Sequence, residues 1–148
     1  MNNQKTIFAA MQCLLVYALF FIACGKDSPT KPNDDQMLVG SWDVSKMISE
    51  YGGEIDTLTA SQLDSMGLVW TLKMNEDGTA EQTTNLSGPL LTFPGTWSVS
   101  ANKLTLNLIG PNGENGKMVY EFAVDGNILK LSWELLAGAK LYAEFTKQ

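Results

Sequence analysis

Residues 103–109 read KLTLNLI, with Leu104, Leu106 and Leu108 on one side and polar residues on the other. A period of two marks a strand with one buried face. The same pattern recurs along most of the chain, separated by turn residues. Segment 40–49 carries Trp42 and Val44 on one face, and 68–75 aligns Trp70, Leu72 and Met74. Glu-Asp-Gly at 76–78 turns the chain into 79–85, and 95–100 pairs Trp97 with Val99. Segment 117–124 aligns Met118, Tyr120, Phe122 and Val124; 128–135 aligns Leu129, Leu131, Trp133 and Leu135; 140–147 aligns Leu141, Ala143 and Phe145. Ala101-Asn102, the 110–116 loop and Asp125-Gly126-Asn127 join these strands at hairpin distances.

Eight strands of this kind must bury their apolar faces, and consecutive hairpins favour a meander. Closing the meander removes its exposed edges. The expected fold is all-β, an eight-stranded antiparallel up-and-down barrel; an open β-sandwich of the same strands is the alternative. Segment 57–67 breaks the pattern. Thr59 followed by Gln62 has capping-box spacing, Leu63 and Met66 follow, and Gly67 supplies a stop. One short helix is expected here, after the first strand, within a non-strand insertion that begins at Tyr51-Gly52-Gly53.

The N-terminus is of another kind. Seventeen residues from Ile7 to Ala23 carry no charge and follow a start whose only charged side chain is Lys5. This is the pattern of a secretory signal. A membrane anchor is the competing reading, but the run is at the lower limit for a span and no basic cluster follows it. Its end, Phe21-Ile22-Ala23-Cys24, resembles the lipobox of bacterial lipoproteins, with Phe21 where Leu or Val is more usual. That resemblance implies cleavage before Cys24 and a diacylglycerol on its sulfur. Cys13 leaves with the signal, so Cys24 has no disulfide partner. The expected organisation is a signal peptide over 1–23, a lipidated polar tether over 24–37 and a barrel domain over 38–148. The expected location is the bacterial cell envelope, at the outer membrane on its periplasmic face or at the cell surface.

All sixteen acidic residues follow Cys24, against nine lysines in the same stretch. This balance argues against nucleic-acid binding. The chain has no histidine, and its ten basic residues are all lysine. Without imidazole or guanidinium, nucleophilic triads, zinc sites and phosphate clamps lose their usual parts. No enzymatic activity, metal or cofactor is expected. The turns at 75–78 and 112–115 lack the converging oxygens that calcium needs.

Gly40-Ser41-Trp42 opens the first strand, and Gly95-Thr96-Trp97 repeats the G-x-W pattern later in the chain. With the helix after the first strand and the order of the hairpins, these motifs resemble the lipocalin-like domains of small bacterial lipoproteins, over residues 38–147. The resemblance implies an up-and-down barrel in which Gly40, Trp42, Gly95 and Trp97 are structural. In typical lipocalins an arginine near the last strand packs over the G-x-W tryptophan. This chain offers only Lys140 or Lys147 there, and an ammonium cannot stack as a planar guanidinium does.

The remaining aromatic residues supply the candidate site. Trp70, Trp133 and Tyr120 lie on inward faces and would line a pocket for a small apolar or glycan ligand. An envelope protein is the alternative partner. A fully packed barrel with a purely structural role is the alternative function. Glu121, Glu134 and Glu144 alternate with apolar residues and are expected to face solvent.

Overall fold

The computed structural model describes residues 34–136 and 139–148. The signal peptide, Cys24 and the tether up to residue 33 lie outside the described residues. The elements run α1 (Asp34–Leu38), β1 (Gly40–Tyr51), β2 (Glu54–Thr59), α2 (Ala60–Ser65), β3 (Trp70–Met74), β4 (Thr79–Thr84) and β5 (Leu91–Ser100). They continue with β6 (Lys103–Ile109), β7 (Asn115–Asp125), β8 (Ile128–Leu136) and β9 (Ala139–Lys147). Consecutive strands from β3 to β9 pair antiparallel. β1 closes the ring, pairing with β3 over Gly40–Asp43 and with β9 over Trp42–Tyr51. The result is a closed barrel of eight antiparallel strands, β1 and β3–β9, rather than an open sandwich.

β2 was not legible as a strand. Gly52 and Gly53 both have positive φ, +60° and +87°, the conformation of a two-residue hairpin turn whose twist suits the flanking strands. That turn folds Glu54–Thr59 back onto the outer half of β1, beyond the point where β3 ends its own pairing. Segment 55–59, expected as part of a non-strand insertion, therefore extends the barrel wall. The helix follows this hairpin. The Thr59 amide donates to Gln62 Oε1 at 2.9 Å, as the capping-box spacing predicts. Leu63 is buried, and Gly67 ends the helix with φ +64° and its amide on the Asp64 carbonyl.

Two further boundaries move. β5 begins at Leu91, four residues earlier than the sequence pattern suggests, because Pro94 points outward in a strand whose odd positions turn in. The last residues of the expected tether, Asp34–Met37, form α1 with Leu38. Leu38 is completely buried and its carbonyl accepts the Trp42 indole N–H at 2.8 Å, so the segment is fixed by the core it enters.

α1 and both G-x-W motifs lie at one end of the barrel. Trp42 is fully buried, and Lys147 Nζ stands 5.0 Å from its ring centroid and donates to the Met37 carbonyl at 3.4 Å. Lys147, not Lys140, covers the ring. Gly40 has φ +139°, and a Cβ there would meet Lys147 Cε at 2.6 Å. Trp97 Nε1 donates to the Asn75 carbonyl at 2.9 Å and its amide to Gly78, which ties β5 to the β3–β4 turn. In that turn Asp77 accepts from both the amide and the hydroxyl of Thr79. These bonds hold its carboxyl below the usual value. At Gly95 an added Cβ would overlap the Asn107 carbonyl of β6, so the strand approach itself requires glycine. This end is closed and well packed by Leu38, Trp42, Met74, Leu129 and Phe145.

Candidate functional site

The inward face of each strand fills the barrel from the closed end upward, and the filling stops short of the other end. Pairing fixes which end that is. Gly40 lies opposite Met74 at the closed end, so β1 runs away from it and Trp70 begins β3 near the opposite mouth. The mouth is framed by the β4–β5 loop, the β6–β7 loop and the end of β8. There a cavity of about 540 Å³ opens, within the range of small-molecule pockets.

Trp70, Tyr120 and Trp133, the three residues singled out from sequence, all line it. They form one edge-to-face aromatic group. Trp70 and Trp133 have ring centroids 5.6 Å apart at 89°, and Tyr120 and Trp133 lie 5.3 Å apart at 86°. Phe145 locks Trp70 from below at 5.0 Å. Such packing fixes the rings before any guest arrives. The Tyr120 hydroxyl donates only to Met118 Sδ at 3.0 Å, a weak acceptor. Burial pushes its phenol up to about 12. The cavity wall is therefore a medium that penalises negative charge.

Two polar groups in this wall have no partner. Trp70 is 3% exposed and Gln82 5% exposed, yet Trp70 Nε1 and Gln82 Oε1 make no hydrogen bond among the described residues. A buried polar atom left unpaired costs about 1–3 kcal/mol. Both residues line the cavity and sit on adjacent strands, β3 and β4, on the same inward face. Thr84 is the next inward residue of β4, and its hydroxyl accepts the Leu86 amide at 3.2 Å.

Gln82, Thr84, Phe93 and Glu134 are lining residues that the sequence reading did not single out. The inward face of β4 is Ala80, Gln82 and Thr84, which carries no apolar signal. Phe93 precedes Pro94, which hides its strand. Glu134 is exposed, as alternation expects, and stands opposite Lys140 at the rim of the cavity, just before the register slips between Glu134 and Leu136. Glu144 pairs instead with Lys46 at 3.8 Å on the outer wall.

The lipocalin-like domain family matches this chain over residues 38–131. Among curated proteins none matches. Of solved structures, a lipocalin-like protein from Bacteroides uniformis is 18% identical, with 76% of this chain and 99% of that one covered at a TM-score of 0.48. An uncharacterised protein from Bacteroides eggerthii is 15% identical over 74% and 98%, with a TM-score of 0.46. A de novo designed fluorescence-activating β-barrel is 12% identical over 77% and 96%, with a TM-score of 0.43.

Proposed function

We propose, from the premise that the chain belongs to the lipocalin-like domain family, that it is a lipid-anchored envelope protein whose barrel holds a small molecule without transforming it. The cavity carries the reading. About 540 Å³ of space against Trp70, Tyr120 and Trp133, with unpaired polar atoms in the wall, suits a guest better than a filled structural barrel. Binding without chemistry follows from the side chains at hand: the sequence has no histidine and no arginine, and its single cysteine after the apolar run is the one proposed to be acylated.

Anchoring rests on the apolar run that ends in Ala23-Cys24. A lipid on Cys24 would hold the barrel at a bacterial envelope membrane, most simply the outer one. Two experiments test the reading separately. Labelled palmitate should enter the wild-type protein and not Cys24→Ala, whose signal should stay uncleaved; persistent labelling refutes the anchor. Dansylamide, a neutral aromatic probe, should accept energy from tryptophan when added to the purified protein, and should lose it in Trp133→Leu. No transfer at saturating probe refutes the binding role.

A further inference from the structure

The cavity wall also carries information about the charge of its guest, an inference that rests on the binding role just proposed. Two carboxylates, Glu114 and Glu134, are among its lining residues, and none of the described lining residues is a lysine. Glu114 is held in place: its backbone carbonyl accepts the Gly110 amide at 2.8 Å, and its carboxylate lies over the Gly110 Cα where a side chain would otherwise stand.

Two lysines stand near the rim, Lys140 opposite Glu134 across the β8–β9 pairing and Lys117 between Gly116 and Met118, and neither lines the cavity; the other neighbouring segments are acidic or uncharged. The β1–β2 hairpin and α2 extend from the same end, and residues 47–72 carry Glu50, Glu54, Asp56 and Asp64 with no lysine. Residues 85–102, which include the β4–β5 loop at the rim, carry no charge. Deeper in, the wall is aromatic, and aromatic faces attract cations.

We infer that the barrel takes a flat amphiphile with an apolar body and a positively charged outer end, and that it disfavours guests ending in a carboxylate. The body lies against Trp133 and Tyr120, and the cationic end sits at Glu114 and Glu134. An anionic end finds no lysine among the described lining residues and meets both carboxylates at the mouth, a repulsion that Lys140 opposite Glu134 tempers and that salt screens.

Three probes with one fluorophore separate the terms. Dansylcadaverine ends in an ammonium, dansyl-6-aminohexanoic acid ends in a carboxylate on a tail of similar length, and dansylamide is neutral. At low salt the ammonium probe should bind roughly tenfold more tightly than the carboxylate probe, with dansylamide between them. High salt should narrow that gap, and so should Glu114→Gln/Glu134→Gln, whose exposed positions leave folding intact. Equal affinities for the two tails, or tighter binding of the carboxylate, overturn the charge inference while dansylamide binding keeps the cavity reading. A gap that survives the double substitution overturns the assignment to Glu114 and Glu134. Failure of all three probes overturns the binding role itself.

Discussion

Replacing Gln82 with methionine should make the protein more stable and a poorer host. Gln82 sits between Ala80 and Thr84 on the inward face of β4, 5% exposed, with Oε1 unpaired among the described residues. Leaving such an atom buried costs about 1–3 kcal/mol, whereas an apolar side chain of the same shape carries no such penalty. Methionine matches the length and flexibility of glutamine, so it opens little void and forces little strain. The net gain should be about 1–2 kcal/mol. In a barrel of this size that corresponds to a rise in Tm of roughly 4–8 °C per kcal/mol. Urea denaturation followed by tryptophan fluorescence reads the gain directly. The midpoint should rise at constant m, because the surface exposed on unfolding barely changes. Gln82→Glu is the counterpart. A carboxylate at this depth is penalised, so its folded pKa lies above the unfolded one, and the variant should be destabilised at neutral pH and recover as the pH falls through that raised value. An unchanged or lower midpoint for Gln82→Met, with m constant, would refute the claim that this amide is an energetic liability.

Three other outcomes are expected. Lys147→Met keeps the stem against Gly40 but removes the charge over Trp42, and should cost about 0.5–2 kcal/mol by denaturant titration. The loss should vanish when Trp42 is already replaced by leucine. Gly95→Ala drives a Cβ into the Asn107 carbonyl and should cost about 1–3 kcal/mol, seen as a lower Tm. Tyr120 titrates near 10.0 when unfolded and at about 12 when folded, so the folded state keeps its proton longer. The stability this gives is complete below pH 10 and is lost as the pH rises to 12, a difference of roughly 2–3 kcal/mol. Tyr120→Phe should lack that component when unfolding curves of the two proteins are compared across the interval.

The barrel was legible where one face of a strand is apolar and the other polar. Leu104, Leu106 and Leu108 are all buried, and their neighbours in β6 are not, so the period of two states the fold directly. β2 failed that reading because it buries almost nothing: Ile55 is 66% exposed, and the strand exists because Gly52 and Gly53 make a hairpin turn. α1 failed because its only apolar residues, Met37 and Leu38, are too few for any period. In the site, Trp70, Tyr120 and Trp133 were visible as large rings on inward faces. Gln82 was invisible for a physical reason. In Thr-Ala-Glu-Gln-Thr-Thr both faces are polar or small, and only its pairing with β3 and β5 shows which one turns inward. Glu134 reads as solvent-facing and is exposed; that it also borders the cavity rim, just before the β8–β9 register slips, could not be read from alternation.

These failures are not scattered. At the closed end, local pattern and packing agree: Trp42 donates to Leu38, Trp97 donates to Asn75, Lys147 covers Trp42, and Gly40 and Gly95 stand where no side chain fits. At the open end the rules are broken together. Among the described residues an indole N–H and an amide oxygen lack partners, a tyrosine hydroxyl settles for a sulfur, the β8–β9 register slips, and the core stops. Each departure costs stability, and the tight end supplies the stability that makes them tolerable. A barrel that had only to be a barrel would bury leucine at Gln82 and continue the Leu104–Leu108 core to the rim. The concentration of unmet hydrogen bonds around one open space is the cost that the proposed binding role would account for, and the Gln82→Met variant measures how much stability is given up there.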